Sequence, residues 1–272
     1  MNLPQPETPE WQRPVMFYGK PLTYEHRRHM YFWDGEHVPS VTTIIKRLDK
    51  PGLIQWAADT AIEHVRKKAA EFPEGFRFGT LENICQEARQ AHRVKKEAAA
   101  DIGNVLHDIA ECVQEGREPD PGMVAKLPVE DQLIASNCAL SLKEWMAAQR
   151  FGSADLERKV FSRDLRYAGR CDRFGVINNH LAVLDFKSGG EKIYPETWLQ
   201  MSAYEVALQE ELGFNEPVWH YAIHLNKKTG KCTPHVRGPQ HTDAAKEAWR
   251  RLVDFDRWMR QVPTEAQMRK VA

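Results

Sequence analysis

Apolar positions along this chain follow two rhythms. Over about 53–70, 81–115 and 130–150 they recur every three or four residues, the period of a helix lying on a core. From Leu156 to Phe186 they crowd into short Val-, Phe-, Tyr- and Ile-rich runs broken by glycine, which reads as three strands. The first helix is expected to bury residues 53, 54, 57, 61, 62 and 65. The second, in one piece or two, is expected to bury Ile102, Leu106, Ile109 and Val113, with Gly116 as its stop. The first fourteen residues, polar and Pro-rich, predict an extended arm. Met30–Trp33 and His37–Val38 flank Asp34-Gly35, a hairpin signal, and Ser40 is placed to cap a helix at Val41. After Phe186 the pattern predicts a helix over Pro195–Leu212 with Pro in its first turn. Two strands follow, Val218–Leu225 and Lys231–Val236. A last helix, capped by Thr242 or Asp243, should bury Ala248, Leu252, Phe255 and Met259.

This order predicts an α/β fold: one mixed central sheet flanked by helices, with an N-terminal helical portion. Three stretches are expected within one compact domain. They are an arm over 1–29, a hairpin with helices over 30–150, and a core with its closing helix over 151–272.

Composition narrows the function classes. In 272 residues, 42% hydrophobic and 28% charged, no apolar run is long enough to cross a bilayer. The N-terminus lacks the apolar stretch of a signal peptide. The expectation is a cytoplasmic protein of a bacterium or a phage-infected host, with no membrane partner. Lys+Arg and Asp+Glu both total 38, so net charge is silent on nucleic acid, although a neutral total can hide a basic groove. Five scattered cysteines without a C-x-x-C pair argue against a disulfide framework, a zinc site or an iron–sulfur cluster. No phosphate-binding G-x-x-x-x-G-K-[ST] loop, G-x-S-x-G elbow or H-E-x-x-H helix is present, so NTPase, serine-hydrolase and zincin chemistry lack support.

Chemistry concentrates in Tyr167-Ala-Gly-Arg-Cys-Asp-Arg-Phe-Gly175 and Leu181-Ala-Val-Leu-Asp-Phe-Lys187. Asn178-Asn179 between them suits a two-residue type I′ hairpin, which sets Asp172 opposite Asp185. Facing carboxylates repel unless something positive lies between them. Lys187 shares the Asp185 face by strand alternation. Two oxygen donors beside a lysine suit a hard divalent ion, Mg2+ or Mn2+. A D-x-K tripeptide alone is commonplace, but the apolar neighbours of this one predict a buried strand, where unpaired charge is costly. Arg166, Arg170 and Arg173, around Asp172, are candidates for phosphate contacts.

These runs resemble the PD-(D/E)XK nuclease superfamily, specifically its RecB-like branch. That branch includes phage exonucleases, CRISPR-associated adaptation nucleases and mitochondrial genome maintenance exonucleases. Its pattern is a helical His, an Asp after a Gly-containing strand, a D/E-x-K on the next strand and Q-x-x-x-Y on the following helix. Gly103-Asn-Val-Leu-His107, Gly169-Arg-Cys-Asp172, Asp185-Phe-Lys187 and Gln200-Met-Ser-Ala-Tyr204 match it in order. Val38–Ile45 with Lys50-Pro51 and Trp56-Ala57 is similar to the N-terminal portion of phage members, so the resemblance spans roughly residues 30–210.

The resemblance implies a restriction-endonuclease-like core and a metal-dependent DNA exonuclease of recombination or repair. The alternatives are an endonuclease, or a catalytically silent DNA-binding subunit, on the same fold. It implies His107, Asp172 and Asp185 as metal ligands, and Gln200 and Tyr204 beside Lys187 at the catalytic centre. Glu157 matches an acidic position of some relatives and would act through water, although an ordinary edge-strand Glu is an equal reading. Gly103, one turn before His107, would leave open space for metal or DNA. Implied partners are DNA and a recombinase, single-strand-binding protein or helicase.

Overall fold

The computed structural model describes residues 13–75, 77–189 and 192–262. Two compact units are distinguished: one built from 13–47, 140–226 and 231–262, the other from 48–139 with 227–230. No helix among the described residues is long and apolar enough to cross a membrane.

The first unit opens with an antiparallel sheet of four short strands, β1 (Val15–Phe17), β2 (Lys20–Glu25), β3 (Met30–Trp33) and β4 (Glu36–Val38). Asp34 and Gly35 both have positive φ, 52° and 80°, the type I′ geometry expected there. Tyr18-Gly19, at 50° and 76°, makes a second such turn between β1 and β2. This corrects the expected arm over 1–29, because residues 15–25 are strands; residues 1–12 lie outside the described part. Tyr at an αL position masks the turn in the sequence, since Asn, Asp or Gly usually occupies it. The sheet buries Phe17, Leu22, Tyr31 and Val38 against Phe161 and Ala168. Ser40 Oγ accepts from Thr43 N at 3.0 Å, capping α1 (Val41–Ile45) as expected.

The main sheet has five strands in sequence order: β5 (Phe151–Ser162), β6 (Tyr167–Ile177), β7 (His180–Lys187), β8 (Trp219–Leu225) and β9 (Cys232–Arg237). Only β7 and β8 run parallel. Their crossover is α6 (Pro195–Leu212), which ends on Gly213 at φ 68°, the left-handed cap a helix terminus favours. Asn178 and Asn179 take φ 51° and 65°, and the β6–β7 ladder runs from Ile177↔His180 to Arg173↔Leu184 in the expected register. The α/β class and mixed sheet flanked by helices stand.

The closing helix α7 (Asp243–Gln261) buries Trp249, Leu252, Val253 and Asp256. Ala248, Phe255 and Met259 of the expected stripe are exposed. The buried face is turned toward Trp249 because Asp256 is anchored inside, accepting from Arg47 Nε at 2.7 Å and Arg260 Nε at 2.6 Å.

The second unit pairs α2 (Pro51–Ala69) with α3 (Phe78–Gln114), followed by α4 (Pro121–Val124) and the first part of α5 (Val129–Ala147). α3 is one continuous helix that buries Ile102, Leu106, Ile109 and Val113 as expected. α2 exposes Leu53, Ile54 and Ile62, contrary to expectation. Its side-chain links to α3 are polar, His64 with Glu87 and Lys95 with Glu63.

Candidate active site

The site grows from an interruption in two strands. β5 and β6 pair as Leu156↔Arg173 and then Arg158↔Cys171, which leaves Glu157 and Asp172 opposite one another without a ladder partner. Glu157 has φ 47°, a strained value for a residue with a side chain. The side chains change phase here. A Cβ on Gly169 would meet Tyr204 of α6, so residue 169 faces that helix. Phe174 is in register with Val183, and Val183 with His220, whose ring reaches Glu205 of α6. Residues 169 and 174 thus share a face, whereas strict alternation would oppose them.

Asp172 at this break turns its carboxylate toward β7. Oδ2 accepts from Phe186 N at 2.7 Å, so the side chain occupies a ladder donor where backbone pairing with β6 has stopped. Burial pushes its pKa well above the ordinary carboxylate value, and the charges of Asp185 and Glu157 push it further. Lys187 and the Phe186 amide act in the opposite direction and are outweighed. Asp172, partly exposed by surface area, is still enclosed by enough protein for burial to dominate.

Asp185 is buried, with side-chain exposure of 3%. Its Oδ1 accepts from Gln200 Nε2 at 3.3 Å, and the same nitrogen donates to the Tyr204 hydroxyl at 2.6 Å. Lys187 Nζ is ion-paired with Oδ2. Apart from this ion pair, Oδ2 is buried with no hydrogen-bond partner. The Tyr204 phenol is raised well above its ordinary pKa by burial and then by the Asp185 charge, and it remains protonated. Gly169 makes this arrangement possible, because its missing Cβ would lie 2.9 Å from Tyr204 Cε1. The structure therefore brings Asp172, Asp185, Lys187, Gln200 and Tyr204 together, with Glu157 as a third charge felt by Asp172.

The remaining expected residues are placed differently. Arg170 is exposed and pairs with Glu157 Oε2 at 2.8 Å. Arg166 pairs with Glu36 and lies over the Trp33 ring. Arg173 is a correction: it is buried, donates to Gly152 O at 3.2 Å and packs on Phe151, leaving no surface for a phosphate. The phase change turns it away from the α6 face. His107 is exposed on α3, in the other unit, while Gly103 is buried rather than beside open space. Among the described residues, no three His, Cys, Asp or Glu side chains gather closely enough to hold a metal by themselves.

One group next to the site was missed by sequence reasoning. Glu205, adjacent to Tyr204, is fully enclosed and accepts from Lys246 Nζ at 2.8 Å, with His220 Nε2 at 2.9 Å. A lone Glu in the apolar run Ala203–Leu208 signals a buried partner, but nothing in sequence order points to His220 or Lys246.

Comparison of the sequence with family models and with curated proteins finds no match.

Proposed function

We propose that this chain is a divalent-metal-dependent nuclease with a restriction-endonuclease-like core, hydrolysing phosphodiester bonds of DNA. The observation that carries the reading is the meeting of Asp172 and Asp185 from adjacent strands, with Lys187 against Asp185. Burial and the neighbouring Asp185 charge raise Asp172, a cost that a bound cation would relieve and that the single Lys187 ammonium does not offset.

The residues present fit Mg2+ or Mn2+. All donors are oxygens, and Asp185 Oδ2 is buried without a hydrogen bond. Asp172 and Asp185 would hold the ion, and a hard cation with two carboxylates normally fills its remaining positions with water and substrate phosphate. That accounts for a site without a third gathered side chain. Bound there, the cation supplies Lewis-acid polarisation of the phosphate and a more acidic water.

The chain's own groups divide the rest of the work. Lys187 holds a proton and a positive charge where the phosphate gains negative charge. Gln200, itself fixed by the Tyr204 hydroxyl, orients the Asp185 carboxylate. The Phe186 amide holds Asp172. DNA and an exonucleolytic role in recombination or repair follow from the resemblance in four ordered motifs.

The test is digestion of end-labelled linear and circular DNA with Mg2+, Mn2+ or EDTA, comparing wild type with Asp185→Asn and Lys187→Ala. Expected is metal-dependent release of nucleotides from ends, abolished in both variants. Cutting in EDTA, or cutting unaffected by the substitutions, overturns the mechanism. Cleavage of closed circles overturns the exonuclease assignment, and binding without cleavage overturns the enzyme.

A further inference from the structure

The face that carries Asp185 continues beyond β7. Asp185 is in register with Ala222, and Ala222 with His235. His235 therefore stands in the same row two strands away, roughly 10 Å at ordinary strand spacing. There β9 and the start of α6 line an open depression walled by Lys192, Ile193, Trp198, His235, Val236 and Arg237.

Among its described residues this lining contains two cationic side chains and no carboxylate. Among the described residues neither Lys192 nor Arg237 forms an ion pair, whereas Arg158, Arg166, Arg170, Lys187 and Lys246 of the same unit all do. Arg237 lies over the Trp198 ring at 4.2 Å from its centroid. Trp198 is buried and Arg237 exposed, so the indole backs a guanidinium plane whose outer side faces solvent. A guanidinium seated over an indole offers phosphate donors and a surface on which a base can stack. Lys192 Nζ sits over Tyr194, whose ring is itself exposed.

We propose that this depression is a second subsite. It binds the backbone of a single-stranded polynucleotide a few residues from the bond presented to Asp172 and Asp185, with one base stacking on Arg237. The inference rests on the nuclease reading. Strand phosphates recur about every 3.4 Å of duplex axis and further apart when extended, so a strand lying across the row reaches both places. Cationic grooves with stacking planes are the usual means of holding single strands.

The experiment is fluorescence anisotropy in EDTA, where cleavage does not intervene, using two labelled probes. One is an oligothymidylate of roughly 12 nucleotides, within the span one binding groove covers; the other is a dinucleotide. Wild type is compared with Lys192→Ala/Arg237→Ala over a salt series. Expected is a loss of about tenfold or more for the long probe, a salt slope lower by about 1.4 for two phosphate contacts on a single strand, and no change for the dinucleotide. Equal weakening of both probes, or an unchanged slope, overturns the subsite. A purely protective role for Arg237 on an edge strand would appear as aggregation of the variant with binding intact, and also overturns it. An unchanged slope with wild-type cleavage intact removes the subsite and leaves the nuclease reading. A changed slope in a protein that never cleaves removes the nuclease reading instead.

Discussion

Replacing Gly169 with alanine tests how tightly α6 is held against the sheet. The new Cβ would lie 2.9 Å from Tyr204 Cε1, 3.0 Å from Val41 Cγ2 and 3.4 Å from Val160 Cγ2. Carbon pairs settle near 3.5–4.0 Å, so two of these contacts are short by about half an ångström or more. Forcing a methyl into a packed core costs about 1–3 kcal/mol. Gly→Ala returns about 0.4–1 kcal/mol by restricting the unfolded chain. The net expectation is a loss of about 1–2 kcal/mol, or a few degrees of melting temperature for a protein this size. The assay is thermal unfolding in EDTA for wild type, Gly169→Ala, Tyr204→Ala and the double variant. Removing the ring should cancel most of the alanine's cost, giving a favourable coupling of about 1 kcal/mol. A neutral Gly169→Ala, or the same cost with and without the ring, would refute the reasoning.

Other expectations follow from the same geometry. Lys246→Met strips a charged donor from enclosed Glu205 and should cost about 1.5–3 kcal/mol in urea unfolding. Burial pulls the Lys246 pKa down, but hydrogen bonds and charge from Glu205 and Asp243 outweigh it and leave the value raised. A raised lysine stabilises below its unfolded value and loses that contribution as pH climbs through the folded one. The gap between wild type and Lys246→Met should therefore close above pH 10.5; a gap constant to high pH would show that the ammonium is not the cause. Asn179→Gly should be neutral or mildly stabilising, while Asn179→Ala, forced to hold φ 65°, should cost about 1 kcal/mol by calorimetry. Saturating Mg2+ at about a hundred times its dissociation constant should raise wild-type stability by about 2.7 kcal/mol. Asp172→Asn/Asp185→Asn should show no such response; an equal rise in both would place the ion elsewhere.

Much of the main sheet was legible because its hairpin chemistry is explicit. Asn178-Asn179 dictates the turn, the turn dictates the register, and the register carries Asp172 toward Asp185. α6 was equally plain, with Pro195 in its first turn. Tyr18-Gly19 concealed a strand pair because a tyrosine occupies a position usually given to small polar residues. The buried side of α7 was misjudged because an aspartate lies in the core, held by Arg260 one turn on and by Arg47, which is far away in sequence. Arg173 looked like a phosphate ligand because it adjoins Asp172; the irregularity at Glu157, which turns it away, leaves no mark in hydropathy. The candidate site was thus readable as a set of residue types, while its supports, Gly169 under Tyr204 and the Glu205 cluster, required three dimensions.

The paired break at Glu157 and Asp172 also bears on assembly. Two strands that exchange their inward and outward sides partway along cannot slide past each other. A slip by one position would expose both halves of the core, and a slip by two would carry the break away from the Phe186 amide. Register is thus locked at the spot where negative charges are forced together, the place least inclined to close spontaneously. On the metal reading, an ion that binds only once these groups have met should slow unfolding rather than hasten refolding, and so strengthen the finished protein.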